Sequence, residues 1–173
     1  MNQPIFTDAS ELTAALRTRS TSPIGIISVD GVDGVGKSTL AQRLAADLDL
    51  PYVEVDEFVQ PEQGGYVDYV GYDLLKVVVE PYGLGMVIEG ICIKHVLSRL
   101  AIDEFLSIYV RRTEESGLWL DMIGLFPPDG SADEVVEERR ASGLHLGHIE
   151  EIIRYHYSFL PHTTSDYIFE IGA

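Results

Sequence analysis

Eight residues constrain this chain more than any others. Gly31-Val-Asp-Gly-Val-Gly-Lys37-Ser38 matches the pattern G-x-x-x-x-G-K-[ST] in full. The context is what such a loop needs. The apolar run Ile24-Gly-Ile-Ile-Ser-Val29 precedes it, as expected of a strand covered on both faces. Helical spacing of Leu40, Leu44, Ala45 and Leu48 follows it. Glycines let backbone wrap closely around phosphate oxygens and turn successive N–H groups inward, and a helix start adds a positive dipole end. The loop is therefore expected to hold the phosphates of ATP or GTP through Gly31, Asp33, Gly34, Val35, Gly36, Lys37, Ser38 and Thr39. Lys37 is placed to reach the β- and γ-phosphates, and the Ser38 hydroxyl to bind Mg²⁺. For Asp33 two readings stay open: a group supporting the phosphate site, or a turn residue.

Strand, loop and helix alternate through the rest of the chain. Residues 8–20 read as a short amphipathic helix with Thr7 or Asp8 as cap, ended by Ser20-Thr-Ser-Pro23. Strands are expected at 52–55, 86–88, 105–110 and 167–171. Helices are expected at 70–79, 94–100, 113–123, 132–140 and 149–159, with a turn at 126–130. This alternation predicts one α/β domain over residues 1–173, with a mostly parallel five-stranded sheet and helices on both faces. Residues 1–20 form a helical extension, and 111–142 a candidate lid.

In such sheets ligands bind beyond the carboxyl ends of the strands. The polar residues closing the strands are Asp30, Asp56, Glu89 and Arg111. Asp56 reads either as a base that accepts a proton from an attacking hydroxyl, with a place beside the metal, or as a helix cap. Glu89 reads as a holder of magnesium-bound water or as a plain strand end. Arg111 and Arg112, or Arg139 and Arg140, are candidates to offset charge on a moving phosphoryl group, or else solvated helix-face arginines. The stretch 61–69 mixes glycine with aromatic and acidic side chains. It reads as an acceptor loop, with stacking from Tyr66 or Tyr69 and hydroxyl recognition by Asp68, or as an ordinary surface loop.

Composition excludes several classes. The 173 residues carry 12 basic and 28 acidic side chains, a net charge of −16, with no basic run longer than a pair. A nucleic-acid-binding surface needs clustered Lys and Arg, so no nucleic-acid partner is expected. No apolar run is long enough to span a bilayer and no signal peptide is visible. With the single Cys92, this points to a cytoplasmic protein without an intrachain disulfide. Cys92 itself reads as a small buried thiol. The five histidines show no zinc pattern. A monomer or homodimer acting on a small-molecule phosphate acceptor is expected.

These motifs resemble the P-loop kinases of nucleosides and nucleotides. The loop, continued to Thr39, resembles the thymidylate kinase form. Val55-Asp-Glu-Phe58 followed by Val87-Ile-Glu-Gly90 resembles the order in uridine kinases, and Ser165-Asp-Tyr-Ile-Phe169 is similar to their last strand. The resemblance implies ATP, Mg²⁺, Asp56 as base with Phe58 beside it near the acceptor, and phosphoryl transfer to a nucleoside, nucleotide or similar metabolite. The chain departs from the pattern at Phe58-Val59, where uridine kinases carry an aromatic pair, and lacks a clean counterpart of their arginine-rich lid. Two other classes are weighed. A nucleotide-binding module without transfer keeps the loop and drops the chemistry. A switch GTPase needs Asn-Lys-x-Asp and Asp-x-x-Gly motifs, which the chain lacks.

Overall fold

A computed structural model describes residues 3–19, 25–60, 65–82, 85–117, 119, 121, 125–127 and 129–172. The elements run β1 (Ile5–Phe6), α1 (Ala9–Arg19), β2 (Ile26–Asp30), α2 (Lys37–Leu48), β3 (Tyr52–Glu54), α3 (Tyr72–Val79), β4 (Met86–Glu89) and α4 (Ile93–Arg99). They continue with β5 (Leu106–Thr113), α5 (Ala132–Ala141), α6 (His148–Phe159), α7 (Pro161–Thr164) and β6 (Tyr167–Gly172). Short 3₁₀ turns occupy Val55–Phe58, Val67–Tyr69 and Glu80–Tyr82.

The strands form one sheet in the order β1-β6-β5-β2-β4-β3, with every pairing parallel. Central β2 lies between β4 and β5, which explains its apolar run: Ile27 and Val29 are fully buried. The chain leaves β2 toward β3 on one side and returns through β5 on the other. The crevice this creates above the carboxyl end of β2 is where such folds place ligands. The architecture is the three-layer α/β fold of P-loop proteins.

Several expectations are corrected. The sheet has six strands, not five, because Ile5 and Phe6 pair with Ile168 and Phe169 at its edge. Two residues carry no readable periodicity; the partner strand decides them. β5 runs past Val110 through Arg111 and Arg112 to Thr113, kept in register by Glu170 and Ile171 on β6. Thr113 therefore belongs to a strand, and 114–117 form a turn closed by Gly117 N–H donating to Glu114 O at 2.7 Å. The remainder of the helix expected at 113–123 includes 118, 120, 122 and 123, which lie outside the described residues. So do the breaker 20–23, Ile24, residues 61–64 of the expected acceptor loop and residue 128 of the expected turn. α3 begins at Tyr72 rather than Val70. Val70 bridges antiparallel to Val59, and the Gly71 N–H donates to Phe58 O at 2.8 Å.

Local chemistry sets the helix ends. Asp8 caps α1, its Oδ1 accepting from the Ser10 and Glu11 N–H groups at 2.7 and 3.1 Å. Ser131 and Glu134 form a reciprocal capping box on α5. Most buried apolar side chains form a single cluster around the sheet. Val135, Val136, Leu146 and Ile153 form a second, smaller one between α5 and α6. No described helix is long and apolar enough to cross a membrane.

Candidate active site

The loop joining β2 to α2 has the backbone the motif demands. Gly36, the N-cap of α2, has φ 101°, a conformation side chains other than glycine's rarely adopt. At Gly31 a Cβ would sit 2.6 Å from the Val110 carbonyl oxygen, so only glycine lets the loop pass β5. Val35 is buried and anchors the loop, while Asp33 and Gly34 are exposed at its tip. Lys37 is 8% exposed and its Nζ donates to Val32 O at 2.9 Å, which keeps the ammonium inside the loop. α2 starts at Lys37, so its first N–H groups close the same concavity. Ser38 is half-buried in the first turn, and Thr39 beside it is exposed.

Two buried carboxylates back the loop. Glu89, at the end of β4 and 2% exposed, lies in hydrogen-bond reach of the Ser38 hydroxyl and feels the Lys37 charge. Burial raises its pKa, and the Ser38 contact, the Lys37 charge and Tyr52 pull it back. Tyr52 Oη lies 3.1 Å from both Glu89 Oε1 and Glu54 Oε2 and, with one proton, donates to one of them at a time. Asp30 is fully buried and accepts from the Gly31 N–H at 2.8 Å and from the Tyr155 hydroxyl. Burial pushes it up to about 6 against those two hydrogen bonds and the charges of Lys37 and Lys94.

Hard oxygen donors facing a phosphate loop suit Mg²⁺, which keeps several waters and takes few protein ligands. Ser38 and Glu89 supply such a set. Among the described residues no group of three or more His, Cys, Asp or Glu side chains could hold a metal. A cavity of about 290 Å³ adjoins the loop, lined by Gly36, Thr39, Leu40, Arg43, Arg112 and Ile171 among others. Its apolar walls and two guanidinium groups suit a planar heterocycle. Another apolar cavity, about 220 Å³, is lined by Ile26, which opens β2 at the end opposite the loop.

The second side of the site is built by Asp56 and Tyr66. Asp56, just past β3, is an exposed carboxylate whose Oδ1 accepts from Tyr66 Oη at 2.6 Å. The Tyr66 ring is 7% exposed and packs over the turn after Glu89: a Cβ on Gly90 would lie 2.8 Å from the phenol oxygen. The Tyr66 N–H donates to Glu151 on α6. A continuous chain of contacts thus runs from Lys37 and Ser38 through Glu89 and Gly90 to Tyr66 and Asp56.

Other expected site residues lie elsewhere. Asp68 is exposed and paired with Arg99 on α4. Tyr69 is half-buried, with its ring against Gly65, and Phe58 packs on the main core beside α3. Arg111 sits within β5, its Nε donating to Glu170 Oε1 at 2.8 Å and its guanidinium 5.7 Å from the centroid of Trp119. Arg112 is exposed and lines the cavity beside the loop. Arg140 pairs with Glu137 and Glu150. Asp33 meets His148, at the start of α6, with 2.8 Å between Nε2 and Oδ2.

Sequence reasoning placed Asp30 on the rim and gave it no role, although its position directly before Gly31 was the available signal. Tyr52 and Tyr155 carried no signal at all. Tyr155 reaches Asp30 across 125 positions and His148 reaches Asp33 across 115.

No protein-family model and no curated protein matches the chain. Solved structures do. A protein described as a possible uridine kinase from Bacillus stearothermophilus superposes with a TM-score of 0.57 at 12% identity, over 93% of this chain and 96% of that one. A candidate fructose transport system kinase from a Silicibacter species gives 0.50 at 15% identity, over 94% and 99%. At such identities the likeness speaks for the fold alone, shared over nearly the whole chain.

Proposed function

We propose that this chain is an ATP- or GTP-dependent, Mg²⁺-requiring phosphotransferase of the cytoplasm that acts on a small hydroxyl-bearing metabolite of the nucleoside or nucleotide type. The observation that carries this reading is the placement of an exposed carboxylate, Asp56, on the rim that also holds Lys37, Ser38 and Glu89. A nucleotide-binding module needs the loop alone; a transferase also needs a base at the acceptor side.

The roles follow from charge and position. The loop amides and Lys37 hold the β- and γ-phosphates and offset charge as the phosphoryl group moves, and most catalysis in this chemistry is positioning plus electrostatics. Ser38 and Glu89 would hold Mg²⁺ and its waters, and the ion would supply positive charge against the phosphates. Asp56 orients the acceptor hydroxyl and takes its proton, an effect typically contributing about 10²–10⁴-fold. Arg112 and Arg43 border the cavity in which the nucleotide base would lie. The two structural neighbours, a possible uridine kinase and a candidate fructose transport system kinase, support a kinase-type reading.

The test is Asp56→Asn assayed with ATP, Mg²⁺ and a panel of nucleosides, nucleotides and sugars. The expected result is loss of acceptor-dependent ADP by about 100-fold or more, with ATP affinity changed less than about twofold. Retained turnover rejects Asp56 as base. Tight ATP binding by the parent protein, with no acceptor-dependent ADP across a broad panel, identifies the non-transferring module instead.

A further inference from the structure

Asp56 already holds a hydroxyl. The Tyr66 phenol donates to its Oδ1 at 2.6 Å, the bond an acceptor hydroxyl makes to a general base before attack. The phenol stays a donor at physiological pH, because burial first and the Asp56 charge second push its pKa well up. Tyr66 is 7% exposed and its phenol oxygen lies against Gly90, where a Cβ would come within 2.8 Å of it, so the phenol is held in place rather than sampling solvent. The segment that carries it is pinned from two sides: the Tyr66 N–H goes to Glu151 on α6, and Val70 bridges to Val59.

A P-loop phosphotransferase has a standing side reaction. Water can stand in for the acceptor, because it is small, abundant and needs only a base to orient it. Its oxygen bonds to the γ-phosphorus while the bond from that phosphorus to the bridging oxygen breaks. ADP leaves with the bonding pair, and the water's proton passes to the carboxylate and then to solvent. A carboxylate oxygen that already accepts from a fixed phenol is a weaker base and has one acceptor site fewer with which to orient water.

We propose that Tyr66 is the residue that sets specificity for the acceptor against water: it occupies Asp56 until a bound acceptor brings its own hydroxyl to replace the phenol. This rests on Asp56 being the base. Tyr66 acts through Asp56 and is a positioning residue. Water lacks the binding surface to displace a phenol held by packing at Gly90 and by Glu151; an acceptor seated by its remaining atoms does not.

The experiment is ADP release from Mg-ATP with no acceptor present, for the parent, Tyr66→Phe, Asp56→Asn and the double variant. Tyr66→Phe keeps the buried ring, removes the hydroxyl and frees the carboxylate oxygen, so acceptor-independent hydrolysis is expected to rise about tenfold. The double variant is expected to fall back to the Asp56→Asn rate. A merely structural role would lower hydrolysis, so an unchanged or reduced rate in folded Tyr66→Phe overturns the proposal, as does a double variant that keeps the increase. Should Tyr66→Phe fail to fold, a change at Glu151 decides. Because glutamine there would keep an oxygen that accepts from the Tyr66 N–H, the variant made is Glu151→Ala. It removes that acceptor without touching the phenol and is expected to raise hydrolysis about two- to threefold; no rise overturns the proposal. If Asp56→Asn abolishes acceptor-dependent transfer while Tyr66→Phe leaves hydrolysis unchanged, gating fails and the functional reading stands. If Asp56→Asn transfers normally, both fall.

Discussion

The nucleotide side and the acceptor side of the crevice are assembled in different ways. On the nucleotide side the contacts are mostly short in sequence: Asp30 to the next residue's N–H, and Lys37 to a carbonyl five positions away. On the acceptor side the segment carrying Tyr66 is held from afar, Glu151 on α6 taking the Tyr66 N–H across 85 positions. The loop has long contacts too, but they come from the same helix and add to a local frame: Tyr155 meets Asp30 across 125 positions and His148 meets Asp33 across 115. The first kind of site is written into a local motif and a helix start. The second exists only after α6 has folded back across the sheet, so its geometry depends on remote packing.

Two buried groups behind the crevice differ in charge as well. Asp30 beneath the loop is a buried acid pushed up to about 6. His156 on α6, 2% exposed, is a buried base pushed down to about 3 by burial. Its tautomer follows from its partners. Nδ1 faces the Ile152 carbonyl at 2.7 Å, which can only accept, so Nδ1 carries the proton and Nε2 accepts from Tyr109 Oη at 2.8 Å.

The largest effect that bears on this comparison belongs to Glu89, where the two sides meet. Glu89→Gln should lower transfer about 10–100-fold and raise the Mg²⁺ concentration needed for half-maximal rate, because it weakens the hold on the metal's surroundings. A magnesium titration of activity reads it. An unchanged magnesium requirement would separate Glu89 from the metal and break the link between the two sides.

A smaller effect sharpens the contrast in charge. His156 is neutral when folded and must gain a proton on unfolding below pH 6.5, so stability falls as pH drops from 6.5 toward its folded value of about 3. Asp30 works the other way. The folded form holds its proton up to about pH 6 while the unfolded form releases it above 3.8, so stability rises as pH falls through that window. His156→Gln removes the first slope and leaves the second. Between pH 6.5 and 5, urea denaturation should show the variant gaining about 2 kcal/mol relative to the parent. A pH-independent difference would mean that His156 is not held neutral by the fold.

Legibility followed the same division. Gly31 through Ser38, the apolar run of β2 and the helical spacing of α2 were readable because motif, periodicity and burial agreed there. Glu89 and Asp56 were readable as strand ends on a ligand rim. The strand Ile5–Phe6 was not, because two residues have no period and its existence is decided by β6. Arg111 and Arg112 read as the start of a lid because charge after an apolar run usually ends a strand; a facing Glu170 on β6 lets this one continue. Tyr66 was named as a stacking residue, yet its ring is buried and its hydroxyl is spent on Asp56, a pairing no spacing rule reveals. Local chemistry is visible in a sequence. Contacts made by α6 are not.

The account stands on the loop gripping a polyphosphate, and calorimetric titration of Mg-ATP into the parent protein and into Lys37→Ala tests that directly. The ammonium is held within the loop, and charge-assisted hydrogen bonds to phosphate are worth about 1.5–3 kcal/mol each. The account predicts saturable binding by the parent and affinity weaker by about tenfold to a hundredfold in the variant. Equal affinity in the two proteins, or no binding by a folded parent, would contradict it.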